Sequence, residues 1–214
     1  MSSPRPRVAV LISGSGTNME VILASRATMD ATFVGCISSR ADAAGIERAQ
    51  RHGLDVRVIP AASHPDRAAY DAALQATLDE LGATFVVLAG FMRILTDSFV
   101  ARWRGRMVNI HPSLLPAFPG LHAQRQALEA GVRVAGCTVH FVEPGEVDGG
   151  PIIAQAAVPV FDDDTEESLS ARIQREEHRI YPAALARLFD GRLRYVDGAV
   201  VAGGRADHVP VVGS

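Results

Sequence analysis

The sequence contains no lysine, and all 21 of its basic residues are arginine. That absence excludes lysine Schiff-base and pyridoxal chemistry, and the lysine that a Walker-type loop sets against its phosphates. Cysteine is nearly as scarce. Two residues, Cys36 and Cys137, are too few for a cysteine-rich zinc centre. Both fall inside apolar segments far apart in the chain, which favours two buried thiols over a disulfide. No apolar run approaches the ~20 residues needed to span a bilayer, and Met1 to Arg7 lacks the apolar centre of a signal peptide. A cytoplasmic location with no membrane partner is therefore expected. The net charge of -3 with scattered arginines gives no basic stripe, which argues against nucleic acid as a partner.

What is present is a large apolar fraction. With 48% hydrophobic and 21% charged residues over 214 positions, the chain can bury a substantial core as a single domain. Short β-branched runs alternate with segments of helical period. Strands are expected at Val8–Ile12, Thr32–Ile37, Val56–Ile59, Thr84–Leu88 and Met107–Ile110. Helices are expected at about Asn18–Ser25, Ala41–Arg51 and Arg67–Leu81, the last with Leu74 and Leu78 at core spacing. Near-continuous apolar strands separated by helices predict an α/β, Rossmann-like fold, with a mostly parallel sheet covered by helices on both faces. After the fifth strand the pattern changes. A helix near Leu121–Glu129 precedes two strands, Arg133–Val142 and Pro151–Val160, that are expected to pair antiparallel as an extension in the C-terminal half.

The densest cluster of reactive side chains is Asn109-Ile110-His111-Pro112-Ser113-Leu114-Leu115-Pro116. On a strand, residues two apart point to the same side, so Asn109 and His111 can address one reacting oxygen while Ile110 turns into the core. A carboxamide donates a hydrogen bond, and an imidazole donates and also shuttles a proton. Far along the chain, Glu146-Val147-Asp148-Gly149-Gly150 offers a carboxylate able to orient or charge that imidazole. The prolines at 112, 116 and 119 make Leu115–Pro116 a candidate for a cis bond.

Three further segments point to ligands. The first strand ends in Ser13-Gly14-Ser15-Gly16-Thr17-Asn18, a glycine turn into a helix N-terminus that suits an anion. The third glycine of a dinucleotide fingerprint would fall at Met19, so a monophosphate fits better than a pyrophosphate. The fourth strand runs into Ala89-Gly90-Phe91-Met92-Arg93-Ile94-Leu95, an apolar segment at a strand's carboxyl end where a flat ligand could lie. The last helix, about Thr165–Phe189, is expected to be capped by Asp164 with Glu167. Its apolar stripe runs Leu169, Ile173, Tyr181, Leu185 and Leu188, interrupted by Glu177, and Pro182 predicts a kink.

Together these segments resemble the phosphoribosylglycinamide formyltransferases of the formyltransferase family. The resemblance rests on residues 13–18, 88–95, 109–116, 147–151 (Val-Asp-Gly-Gly-Pro) and 177–182 (Glu-His-x-Ile-Tyr-Pro), in that order. It implies a single formyltransferase domain, with a nucleotide-binding half over about 7–110, a catalytic and folate half over about 111–195, and a tail from 196 to 214. It further implies transfer of a formyl group from 10-formyltetrahydrofolate, as co-substrate, to the amino group of glycinamide ribonucleotide, with no metal. By the same resemblance, Asn109, His111 and Asp148 are the catalytic set. Gly16, Thr17, Asn18 and Glu177 bind the ribonucleotide, while Arg67, Met92, Arg93, Ile94, Leu95 and Asn109 bind the folate. A homodimer stays open, since the oligomeric state is not legible in the sequence.

Formyltetrahydrofolate deformylase resembles the same catalytic residues but uses water as acceptor and adds an N-terminal regulatory domain. Methionyl-tRNA formyltransferase adds a C-terminal domain that grips tRNA. The first strand near Arg7 and the short tail disfavour both expectations. An NAD-dependent enzyme is disfavoured by Met19 and by Ser38-Ser39-Arg40 where a ribose-reading acid would stand. A binding module that has lost catalysis finds no support, because all three reactive residue types are present.

Overall fold

The computed structural model describes residues 4–203, so the end of the expected tail, 204–214, lies outside the described residues. The chain divides into two compact units, Met1–Val108 and Asn109–Ser214. The first holds β1 (Arg7–Ile12), α1 (Thr17–Ala24), β2 (Thr32–Ser38), α2 (Gly45–Arg51), β3 (Val56–Val58), α3 (Arg67–Glu80), β4 (Phe85–Leu88) and α4 (Asp97–Arg102). β1 pairs in parallel with β2 and with β4, and β2 pairs in parallel with β3. Val8 to Ile12 are all fully buried, as a parallel strand covered on both faces requires. α3 begins at Asp66, whose carboxylate accepts the Ala69 amide at 2.8 Å, and it buries Tyr70, Leu74 and Leu78 at helical spacing.

The sequence-based boundaries fail at two places in this unit. α2 starts at Gly45, not Ala41, and Arg40 and Asp42 pair with each other in the preceding turn. Gly45 itself donates its amide to Gly14 O at 3.0 Å. α4 was not anticipated; at six residues it is too short to show a period, and Thr96 caps it by accepting the Phe99 amide. Asp71 in turn holds Thr96 through its amide (2.7 Å) and hydroxyl (2.6 Å).

The second unit opens within β5 (Met107–His111), which straddles the boundary. It then holds α5 (Ala123–Glu129), β6 (Val134–Phe141), β7 (Ile152–Pro159), α6 (Glu166–Phe189), β8 (Leu193–Val196) and β9 (Ala199–Ala202). The strand order is β3-β2-β1-β4-β5-β6-β7, with β8-β9 a separate hairpin. β6 and β7 pair antiparallel, as expected, and α6 packs on both. The Leu115–Pro116 bond is cis. α5 starts two residues later than expected, after His122 in a left-handed conformation (φ 58).

The start of α6 also needs correction. Thr165 is the N-cap and forms a capping box with Ser168, while Asp164 accepts Phe161's amide and binds Arg172 instead. Leu169, Ile173, Glu177, Tyr181 and Leu185 are buried in one stripe, but Phe189 closes it where Leu188 was expected. The helix runs through Pro182 to Phe189. No helix among the described residues is long and apolar enough to cross a membrane.

Candidate active site

The end of β5 carries the reactive pair. Ile110 and His111 are buried while Asn109 is half-buried. The proline-rich segment after β5 is held to the sheet by side-chain hydrogen bonds. Thr138 on β6 donates to Ser113 O (2.7 Å) and accepts the Leu115 amide (3.0 Å), and Gln155 on β7 donates to Leu115 O (2.9 Å). This anchoring brings Phe118 back over β5, in a left-handed conformation (φ 55), so that its carbonyl stands 2.9 Å from His111 Nε2.

Asp148 approaches the same ring from the β6–β7 loop. Its Oδ2 lies 3.2 Å from His111 Nδ1 and accepts the Gly120 amide at 2.7 Å, while Oδ1 lies 3.4 Å from Asn109 Nδ2. Asp148 adopts φ 56, and Gly150 adopts φ 115 with its Cα hydrogen facing Phe141 O so closely that a Cβ would sit 2.1 Å from that oxygen. The loop thus needs glycine there to deliver the carboxylate.

Both nitrogens of His111 face oxygens, which only the doubly protonated ring can satisfy at once. Burial pulls the His111 pKa down, but the hydrogen bond and charge of Asp148, the Phe118 carbonyl and the charge of Glu177 outweigh it and leave it raised. Burial pushes Asp148 the other way, and the His111 bond and charge with the Gly120 amide leave its carboxyl below the usual range. The pair is an imidazolium and a carboxylate, shielded from water. Glu177, on the buried stripe of α6, joins it electrostatically.

The match to the formyl transferase model runs from residue 6 to 185 and so covers all of these residues. The chain belongs to the formyl transferase family. Among its relatives, phosphoribosylglycinamide formyltransferase of Escherichia coli (strain K12) is 46% identical over 194 residues, 90% of this chain and 91% of that one. The trifunctional purine biosynthetic protein adenosine-3 of Drosophila pseudoobscura pseudoobscura is 50% identical over 200 residues, 92% of this chain. The chain spans only 15% of that longer protein. The crystal structure of glycinamide ribonucleotide transformylase 1 from Symbiobacterium toebii superposes with a TM-score of 0.88 at 51% identity, covering 94% of this chain and 95% of that one.

In the first unit, the other expected ligand residues of this family member follow β1 and β4, except Arg67, which begins α3. Gly16 precedes α1 with φ 72 and has no side chain to cap the helix. A Cβ on it would meet Gly45 Cα at 2.7 Å, so glycine is required where the two turns touch. Asn18 is buried and Thr17 half-buried. Ser13 ties this turn to the segment after β4, since its hydroxyl accepts the Met92 amide at 2.8 Å and shares a 2.6 Å bond with Ser39. Met92 and Ile94 are 68% and 60% exposed, an uncommon state for large apolar side chains at a strand's carboxyl end, while Leu95 is buried. Arg67 is exposed, and Arg93 lies over the Tyr70 ring.

One residue of the cluster escaped the sequence reading. His140, on β6, sits with Nε2 3.2 Å from Asn109 Nδ2. Thr138 and His140 are two apart on their strand, as are Asn109 and His111, and that repeated spacing in an otherwise apolar run was the available signal.

Proposed function

We propose that the chain transfers the formyl group of 10-formyltetrahydrofolate to the amino group of glycinamide ribonucleotide, giving formylglycinamide ribonucleotide and tetrahydrofolate in purine synthesis. The observation that carries this reading is the buried His111–Asp148 pair beside Asn109, in a chain that matches phosphoribosylglycinamide formyltransferases along most of its length.

The chemistry explains why such a cluster is wanted. A bond forms between the substrate nitrogen and the formyl carbon, and the bond from that carbon to the folate nitrogen breaks. One proton leaves the attacking amine and one arrives on the departing nitrogen. Negative charge grows on the formyl oxygen between these events. In this reading the positive charge of the His111 imidazolium and a hydrogen of the Asn109 NH2 stabilise that oxygen, and Asp148, which keeps His111 charged, takes up the amine's proton and passes it, through water, to the departing folate nitrogen. Removing one such donor typically costs about 10² to 10³ in kcat.

Gly16, Thr17 and Asn18 are assigned to the phosphate of the ribonucleotide, with the α1 amides behind them. Glu177 is assigned to a polar group of the same substrate. Arg67, Met92, Arg93, Ile94 and Leu95 are assigned to the folate, and the exposed Met92 and Ile94 side chains suit a flat apolar ligand. The two buried, unpaired cysteines suit the reducing cytoplasm, where we place the reaction.

The test follows 10-formyltetrahydrofolate consumption with and without glycinamide ribonucleotide. Turnover that requires the ribonucleotide is the expected result. Equal turnover without it makes water the acceptor and overturns the reading, as does no turnover in either tube.

A further inference from the structure

His140 is bonded at both ring nitrogens, and its partners leave one protonation state. Nδ1 faces two main-chain carbonyls, Phe141 O at 3.0 Å and Gly149 O at 3.2 Å. Carbonyls only accept, so Nδ1 carries a hydrogen. Nε2 faces the Asn109 carboxamide, whose nitrogen can only donate. An Nε2 without hydrogen accepts that bond. The ring is then neutral, and its 1% exposure favours the same state, because burial lowers the His140 pKa.

The strand geometry brings the ring to this place. The β6–β7 register runs Val139 opposite Ala154 and then His140 opposite Ile152, so Ile153 is an extra residue at that step. Such a bulge turns the local strand and re-aims the neighbouring side chain. Here it falls at His140 itself, next to the loop that carries Asp148.

We propose that His140 is a positioning residue for formyl transfer: as the neutral ring with hydrogen on Nδ1, it fixes the Asn109 carboxamide with its NH2 turned inward and holds the Asp148 loop through Gly149. This rests on the reading of the preceding subsection. A carboxamide has two nearly isosteric orientations, and the neighbouring groups choose between them. One Asn109 hydrogen is taken by His140 Nε2, which directs the second toward Asp148 Oδ1, a contact of 3.4 Å. That long bond is the weaker of the two, and its hydrogen is the one available to a developing oxyanion. If Nε2 carried a hydrogen instead, the carboxamide would turn over and present its carbonyl oxygen to Asp148 and to the oxyanion, both of which repel it. The same imidazole grips Gly149, the residue after Asp148, so one ring orders two of the three proposed catalytic groups.

Two variants separate the ring's functions. His140→Asn keeps a donor near the Nδ1 position and loses the acceptor for Asn109. His140→Gln places its side-chain oxygen near the Nε2 position and restores an acceptor. The expected result is that His140→Asn lowers kcat about tenfold to a hundredfold with KM for either substrate little changed, and that His140→Gln recovers much of the loss. Nitrogen-15 NMR of the wild-type protein with labelled histidine is expected to find His140 neutral and protonated on Nδ1 at neutral pH. An Nε2-protonated or charged ring overturns the proposal, and this result is independent of either variant's folding. Wild-type kcat in His140→Asn also overturns it, as do equal kcat losses in both variants that track a shared drop in Tm. Failure of the function reading is seen separately, as wild-type protein that does not consume formyl donor in response to glycinamide ribonucleotide.

Discussion

His111 Nδ1 stands 3.2 Å from Asp148 Oδ2, with the two side chains only 6% and 13% exposed, and each group holds the other in its charged form. His111 loses its proton as pH rises through a raised pKa, and Asp148 gains one as pH falls through a lowered pKa. The charged pair therefore persists across the neutral range. kcat should be flat there, with its acid limb below the ordinary carboxylate range and its alkaline limb above the ordinary histidine range. In Asp148→Asn, burial is no longer outweighed to the same degree, so the alkaline limb should move down. A pH–rate profile of both proteins checks this, and an alkaline limb that stays in place would show that it does not report His111.

Glu177 occupies a buried position on the α6 stripe where an apolar residue would pack at no cost. Its proposed role is to hold a polar group of the ribonucleotide. A hydrogen bond to a charged group contributes about 1.5–3 kcal/mol, so Glu177→Ala should weaken glycinamide-ribonucleotide binding about tenfold or more. Calorimetric titration measures it. Unchanged affinity would assign Glu177 to packing and to the charge balance around His111.

Gly150 holds φ 115 with Phe141 O against its Cα, and Asp148 is two residues away. Gly150→Ala should cost at least about 1–3 kcal/mol in backbone strain and displace the carboxylate. Tm should fall by several degrees and kcat with it. Wild-type kcat in a correctly folded Gly150→Ala protein would mean that the loop's conformation does not govern Asp148's role.

Both thiols should be silent in the native protein. Burial pushes the Cys36 pKa up to about 12, and Cys137 is raised further by burial and by the charge of Glu177. A disulfide reagent should titrate neither until denaturant is added. A rapidly reacting thiol under native conditions would contradict the buried placement of these strands.

Why so much was legible in the sequence, and where legibility ended, follows from local physics. Val8–Ile12 announced itself because a strand buried on both faces needs an unbroken apolar run, the β6–β7 pair because both strands are largely apolar, and Leu74 with Leu78 because helices bury one stripe. Asn109 and His111 were readable from their two-residue spacing. His140 shows the same two-residue spacing with Thr138, but its role comes from a bulge at Ile153 and from the carbonyls of Phe141 and Gly149, neither of which leaves a periodic trace. The α6 cap slipped by one residue for a similar reason. Asp164, Thr165 and Ser168 can all cap, and only the demand of Arg172 on Asp164 decides among them. The α2 start depended on Gly45 meeting Gly14, a contact between segments that composition does not encode.

The most direct test of the account is single-turnover formyl transfer to glycinamide ribonucleotide by Asp148→Asn and His111→Ala, with substrate binding measured on the same proteins. The account predicts that both variants bind the ribonucleotide and the folate nearly as the wild type does while the transfer rate falls about a hundredfold or more, because these interactions strengthen in the transition state. Transfer at the wild-type rate in either variant would contradict it.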